Sequence, residues 1–105
     1  MAYVKQGELI SLEGTVSHAL VLSKDVFNKT GLCIACPVAK KASKDALHIP
    51  VQVGAFVGVA LLEHLRSLDL RKRFYKTLGE LSFSQIQEVS DATQALFDCY
   101  PYSAL

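Results

Sequence analysis

The spacing of apolar residues changes once along this sequence, and this change constrains the fold more than any other feature. Through residue 70 the apolar residues mostly alternate with polar ones in short runs, which is typical of strands with one buried face. From Phe83 onward they recur every three or four residues, which indicates an amphipathic helix. The sequence therefore predicts a set of short strands followed by a helix.

The first part of the chain predicts two strands and a short helix. Residues 8–12 alternate before a Glu-Gly-Thr turn, and residues 18–23 form a second β-rich run. Ser23 is of a type that caps helices, so we expect one or two helical turns over residues 24–28 that end before Gly31.

Three further runs predict strands in the middle of the chain. Residues 32–38 are apolar throughout, which is typical of a strand that is covered on both faces at the centre of a core. Residues 47–53 alternate strictly, which places His48 on the face away from the core, and Pro50 indicates a sheet edge because proline has no N–H to donate. Residues 57–70 are interpreted as one long, bent strand.

The C-terminal segment has the signals of a capped helix. Ser82 and Gln85 have the spacing of a capping box, and Leu81 and Ile86 are placed to form a hydrophobic staple. Strands and helix together predict a mainly β domain, a small barrel or strongly curved sheet whose open end the helix covers. The predicted buried face of the helix consists of Phe83, Ile86, Val89, Ala92 or Thr93, Leu96 and Phe97.

Length and charge limit what this chain can be. Its 105 residues, half of them apolar, suit a single domain over residues 1–105. Its formal charge of +1 excludes strong steering of the whole molecule toward nucleic acid or a membrane, so any polyanion site must be local. The N-terminal residues have no signal-peptide pattern, and no apolar run reaches the roughly 20 residues of a membrane span, so we expect a cytoplasmic protein.

The three cysteines, Cys33, Cys36 and Cys99, are interpreted as packing residues. An odd number cannot all pair, and a reducing cytoplasm keeps thiols free. Cys33 and Cys36 have zinc-like spacing, but strand residues three apart point to opposite faces and no second ligand pair follows. We therefore expect neither a metal site nor a cofactor.

Local strings over residues 7–97 resemble the MazF/PemK toxins, the toxin half of type II toxin–antitoxin pairs. The most specific string covers residues 58–69, which are similar to the family's fifth strand with His64 in a place usually held by Gln. Residues 4–10 resemble the family's opening strand. The other matching strings are Ala19–Ser23, Phe27-Asn28, Thr30-Gly31, Cys36–Val38 and Gly79–Ser82.

This resemblance implies a fold, an activity and partners. The implied fold is an SH3-like barrel of five or more strands with a short helix and a C-terminal helix, assembled as a homodimer. The implied activity is metal-independent cutting of single-stranded RNA. The implied partner is a cognate antitoxin whose flexible segment occupies the RNA groove.

The chain departs from the family pattern at positions that matter for chemistry. The family places a catalytic Arg before the Pro-Ala pair that opens its second strand, and the corresponding residues here are Ser17, His18 and Ala19. The family's Thr or Ser after the third strand falls on Ala39. The loop over residues 13–17 is also shorter than usual, which leaves its gating and base-reading role unsupported.

Cutting RNA without a metal needs groups that move protons and a cation. The neighbouring 2′-OH attacks the phosphate, so one group takes its proton, another protonates the leaving 5′-oxygen, and a cation stabilises the phosphorane. His18 titrates near neutral pH, while Ser17 and Lys41 add a donor and a charge, so these three are the predicted catalytic residues. The alternative is that His18 is an exposed histidine at a strand end with no role.

A local excess of cations predicts the RNA-binding surface. Between residues 63 and 76 five basic residues oppose two acidic ones, and three lysines follow the third predicted strand. The alternative is a solvated face without a ligand, and the adjacent Phe74 and Tyr75 are either base-stacking residues or core contacts. The predicted RNA-binding residues are Lys24, Lys40, Lys44, His64, Arg66, Arg71 and Arg73.

Two other functions are compatible with this sequence. Loss of the family's Arg and Thr favours a catalytically impaired homologue that uses its groove to bind RNA or protein. A gyrase-inhibiting toxin on a similar barrel is a further alternative, which rests on fold analogy alone.

Overall fold

The computed structural model describes residues 3–15 and 17–98. These residues form a seven-stranded sheet, two α-helices and a 3-10 turn over Leu62–His64. Neither described helix is long and apolar enough to cross a membrane. The elements are β1 (Glu8–Leu12), β2 (His18–Val21), α1 (Asp25–Asn28), β3 (Leu32–Ala39), β4 (His48–Val53), β5 (Phe56–Leu61), β6 (Arg66–Asp69), β7 (Tyr75–Glu80) and α2 (Phe83–Ala95).

The sheet is antiparallel and curls almost closed. Its spatial order is β4-β5-β3-β2-β1-β7, and β3 shares one of its sides between β6, at residues 32–35, and β5, at residues 38–39. The edge strands β4 and β7 approach each other so closely that a Cβ added to Gly79 would lie 2.5 Å from Val53 Cγ1. The predicted SH3-like, mainly β fold is thus confirmed as a curled half-barrel, and β4, which contains Pro50, is an edge strand as predicted.

The sheet is buried on both faces, which explains the continuously apolar sequence of β3. Cys36 and Val38 point into a first core cluster that includes Leu9 and Leu20, with part of α2 packed on it. Cys33 and Ala35, two residues apart, point into a second cluster on the opposite face, which includes Ile10, Ala19 and Leu68. The prediction that this strand is covered on both faces is confirmed. Because the two thiols face opposite ways, they cannot share a metal ion.

The predicted cap of α2 is confirmed at Ser82. Its hydroxyl accepts a hydrogen bond from the backbone N–H of Gln85 at 3.3 Å. The Gln85 side-chain amide does not return to the cap. It pairs with the backbone of Gln52 on the edge strand β4, with its nitrogen 3.1 Å from the carbonyl oxygen and its oxygen 3.2 Å from the amide nitrogen. The helix therefore covers the sheet edge with hydrogen bonds as well as apolar contacts.

The buried face of α2 is narrower than predicted. Val89 is buried in the first cluster, and Ile86 and Leu96 pack around it. Phe83 and Phe97 are 78% and 71% exposed, so their predicted burial is wrong. They are the first residue of the helix and the second residue beyond its end, where helical spacing no longer fixes which way a side chain points.

Residues 57–70 do not form the single bent strand that their alternation predicts. β5 ends at Leu61, the 3-10 turn buries Leu62 completely in the first cluster, and β6 begins at Arg66. The strand breaks because its two halves pair with opposite ends of β3. Strand β7, which the sequence patterns did not reveal, pairs with β1 at the other edge of the sheet.

The expected helix cap at Ser23 is also wrong. Lys24 is the N-cap of α1, with no side-chain hydrogen bond. The Ser23 hydroxyl instead donates to Asn28 Oδ1 at 2.5 Å and accepts from the backbone N–H of Ile34 at 2.9 Å. This serine therefore links α1 to β3 and leaves the helix end uncapped by a side chain.

Candidate active site

A cavity of about 170 Å³ opens on the face of the sheet that the second cluster covers. Its apolar walls are buried side chains of β1, β2, β3 and β6. Four of the ten predicted site residues also line it, although they come from separate segments of the chain. These four residues are Ser17, His18, Arg66 and Arg73.

Strand pairing explains why these residues meet. Ser17 and His18 lie at the start of β2, which pairs along one side of β3. Arg66 begins β6, lies opposite Ala35, and therefore borders the other side of β3. Arg73 follows in the turn between β6 and β7. The central strand β3 thus holds a serine and histidine on one side and the arginines on the other.

The His18 ring lies at the border between this cavity and the core. Its centroid is 4.8 Å from the centroid of the Phe56 ring, and the two planes are tilted by 50°. Because side chains alternate along β2, His18 points toward the face that carries Leu20, whereas Ala19 belongs to the cavity face. The histidine is half-buried and is the first residue of β2.

Two arginines in the lining give the cavity a positive charge. Among the described residues, neither Arg66 nor Arg73 forms an ion pair. Arg71 in the same turn differs, because its guanidinium donates two hydrogen bonds of 3.0 Å to the Asp69 carboxylate. Those bonds lower the pKa of Asp69 to about 2 and raise the pKa of Arg71. Within the described part of the chain, the cations that line the cavity are therefore without an ion-pair partner, while the neighbouring Arg71 is paired.

Six predicted site residues lie away from the cavity. Lys41 stands apart from the other predicted catalytic residues, in the exposed loop between β3 and β4. Arg71 lines a different cavity. The remaining four are exposed: Lys24 at the start of α1, Lys40 and Lys44 in the β3–β4 loop, and His64 in the 3-10 turn.

An ion pair beside the lysine loop was not predicted from the sequence. His48 Nε2 lies 2.6 Å from Glu63 Oε2, and its Nδ1 lies 2.7 Å from the carbonyl oxygen of Ser43. The Ser43 carbonyl and then Glu63 raise the pKa of His48, while the bond from His48 lowers the pKa of Glu63. The signal that could have revealed the pair is the β4–β5 hairpin, which places His48 opposite Leu61 and hence close to Glu63.

Comparison with known proteins places this chain in a family. A family model described as PemK-like, MazF-like toxin of type II toxin-antitoxin system matches residues 11–97. The chain is similar to the crystal structure of MazE-MazF (Form-I) from Deinococcus radiodurans, with 33% identity over 92% of this chain and 98% of that chain and a TM-score of 0.81. Comparison with curated protein sequences found no match.

More distant structures share the fold. An endoribonuclease from Mycobacterial species is 15% identical over 96% of this chain and 98% of that chain, with a TM-score of 0.80. The Mycobacterium tuberculosis toxin MazF-mt6 is 16% identical over 87% and 95%, with a TM-score of 0.70. The family model spans most of the sequence and the Deinococcus structure matches it nearly end to end. This chain therefore belongs to the PemK-like, MazF-like toxins of type II toxin–antitoxin systems.

Proposed function

We propose that this chain is an endoribonuclease that cuts single-stranded RNA without a metal ion and is neutralised by a cognate antitoxin. Family membership supports this proposal, as do the relatives, one of which is a MazE-MazF structure and another an endoribonuclease with its cognate antitoxin. The observation that carries the proposal is the cavity lined by Ser17, Arg66 and Arg73, with His18 at its border. Among the described residues, neither arginine forms an ion pair. Proton-transfer groups and free cations are what phosphate chemistry requires in one place.

The proposed reaction uses the RNA's own nucleophile. The 2′-oxygen bonds to the adjacent phosphorus while the bond from phosphorus to the 5′-oxygen breaks, leaving a cyclic phosphate and a free 5′-hydroxyl. His18 takes the 2′-OH proton or returns one to the 5′-oxygen, and Ser17 donates a hydrogen bond to the phosphate. Arg66 and Arg73 stabilise the negative charge that builds on the phosphorane.

The arginines offer a substitute for the family's missing one. The family's Arg position is Ser17 here, so no guanidinium enters the cavity from the start of β2. Arg66 and Arg73 reach the same cavity from the β6 side of β3 instead. Charge stabilisation depends on where a cation sits and not on the strand that supplies it, so this arrangement preserves the electrostatic part of the mechanism.

The test is cleavage of mixed single-stranded RNA by the purified protein in EDTA. We expect cutting, and we expect Arg66→Gln and Arg73→Gln each to slow it by roughly 100-fold, as removal of one charge-stabilising donor does in other enzymes. Lys72→Gln is the matched control. This substitution removes the same charge from the turn that contains Arg73, but Lys72 does not line the cavity. No cutting by the unsubstituted protein, together with no growth arrest on expression, would remove the enzyme proposal.

A second candidate is a non-catalytic module that binds RNA or protein in the same cavity. The observation that favours it is the packing of the His18 ring against Phe56, together with the missing hydroxyl at Ala39. His18→Gln discriminates between the candidates, since a nuclease that uses this ring loses activity and a binding module keeps its affinity. RNA binding without cleavage by the unsubstituted protein would decide for the module.

The remaining proposals concern assembly and the outer RNA contacts. We expect a cytoplasmic protein that forms a homodimer. Light scattering after gel filtration measures the oligomeric state directly. Lys41 and the other predicted contacts outside the cavity would then meet RNA beyond the cut site or in the partner's half of a shared groove. Those contacts are Lys24, Lys40, Lys44 and His64.

A further inference from the structure

A second cavity, of about 520 Å³, lies where the N-terminal segment, α1 and the β6–β7 turn meet. Among the described residues, none lines both this cavity and the candidate active site. Ligand pockets are usually about 300–1,000 Å³, so this cavity has room for a nucleotide, whereas the 170 Å³ active-site cavity suits a phosphate group. Its lining consists of Tyr3, Val4, Asn28, Lys29, Gly31, Leu70, Arg71 and Tyr75.

Arg71 is fixed in place with donors to spare. Its Nε and Nη2 each donate to the Asp69 carboxylate at 3.0 Å, which uses two of the five N–H groups of a guanidinium. Its aliphatic stem lies against Gly31, where an added Cβ would be 2.4 Å from Arg71 Cγ. The three remaining N–H groups of this oriented fork are suited to phosphate oxygens.

The lining of this cavity also contains aromatic rings and a second cation. Tyr3 and Tyr75 are both half-buried lining residues, and the ammonium of Lys29 lies 5.7 Å from the centre of the Tyr3 ring. Buried Asn28 links α1 to the N-terminal segment that carries Tyr3, because its side chain donates to the carbonyl of Val4 at 3.1 Å. Rings that stack on bases, next to cations that bind the backbone, are the usual means of holding unpaired nucleotides.

We infer that this second cavity binds one unpaired nucleotide of the RNA strand, with the base against the tyrosine rings and the phosphate against Arg71 and Lys29. The assignment to RNA rests on the proposed function. It is supported by strand β6 and the residue that follows it: Arg66 and Leu68 line the active-site cavity, and Leu70 lines the second. The two cavities therefore lie along one segment, and the proposed occupant of the second is a nucleotide that flanks the cut site.

The experiment measures binding with two probes that cannot be cut. The first probe is each of the four nucleoside 5′-monophosphates, followed through backbone amide shifts of the isotope-labelled full chain. The second is a short randomised 2′-O-methyl RNA strand, which lacks the nucleophilic hydroxyl. We expect shifts at Lys29, Gly31 and Leu70 with both probes.

Variants of Tyr3 and the two cations connect the shifts to the proposed contacts. Tyr3→Ala should weaken binding of the RNA strand by roughly tenfold, the usual effect of losing one base stack, while Tyr3→Phe should bind as the unsubstituted protein does. Lys29→Gln and Arg71→Gln should weaken it as well, and Lys72→Gln should not. If Tyr3→Ala unfolds, Lys29→Gln, at an exposed position, still tests the site.

Three results separate this inference from the proposed function. Absence of shifts at these amides with both probes would overturn the site. Binding of mononucleotides with no effect of Tyr3→Ala or Lys29→Gln on the RNA strand would overturn its assignment to RNA. If the strand binds through Tyr3 in a protein that never cuts RNA, the nucleotide site stands and only the ribonuclease proposal fails.

Discussion

The side chain of Asn28 should contribute about 3 kcal/mol to the stability of this fold. It is 1% exposed and makes three hydrogen bonds, donating to the carbonyls of Val4 and Ser23 at 3.1 and 3.0 Å and accepting from the Ser23 hydroxyl. Each such bond is worth about 1 kcal/mol, so Asn28→Ala should lower the free energy of unfolding by roughly that sum. For a domain of this size the melting temperature would fall by roughly 12–24 °C.

Urea denaturation at a fixed protein concentration measures this loss, and two variants sharpen it. Asn28→Asp keeps the shape but places an oxygen against the two carbonyls, so it should be at least as destabilising at neutral pH. Its pKa should be raised by these acceptors, so stability should recover as the pH falls and the carboxyl becomes a donor. Gln87→Ala, at an exposed position of α2, should change little. A loss below about 1 kcal/mol for Asn28→Ala would refute the reasoning, because that is the value of a single bond.

Three further predictions test other parts of the structure. The pKa of His48 is raised, so its pairing with Glu63 should stabilise the folded state fully below the ordinary histidine pKa of 6.5. This stabilisation should be lost as the pH rises through the raised pKa. Imidazole NMR should show that the pKa of His48 falls in Glu63→Gln. Gly58→Ala should cost about 1–3 kcal/mol in urea denaturation, because the new Cβ would lie 2.7 Å from a side chain of β3, whereas Gly14→Ala meets no atom within 4 Å and should show backbone strain alone. Burial raises the pKa of Cys33 to about 11, so peptide mapping should find it unalkylated until the protein unfolds.

Local patterns in this sequence predict elements but not their partners. The alternation of residues 47–53 and the apolar run of β3 each reflect the burial of one strand, so both can be recognised without the fold. The break at Leu62 cannot, because it depends on which end of β3 each neighbouring strand pairs with. Cys99 lies outside the described residues, so its predicted packing role stays a prediction.

The candidate site can likewise be predicted by residue but not as a group. Ser17 and His18 follow from the family resemblance, and Arg66 and Arg73 follow from a local excess of charge. Their meeting in one cavity, from which Lys41 is absent, depends on β2 and β6 pairing with opposite sides of β3. That arrangement is a property of the folded sheet and has no signature in the spacing of residues.

Salt dependence shows whether RNA binding comes from these local cations or from the whole molecule. A formal charge of +1 offers little general attraction for a polyanion, so affinity should depend on the few cations that touch phosphate. For single strands each such contact adds about 0.7 to the slope of log affinity against log salt. We therefore expect Arg66→Gln and Arg73→Gln each to make that slope shallower by about 0.7, measured with uncleavable RNA, and Lys72→Gln to leave it unchanged. Equal changes of the slope in all three variants would mean that affinity depends on the total charge of this region and not on which cations line the cavity.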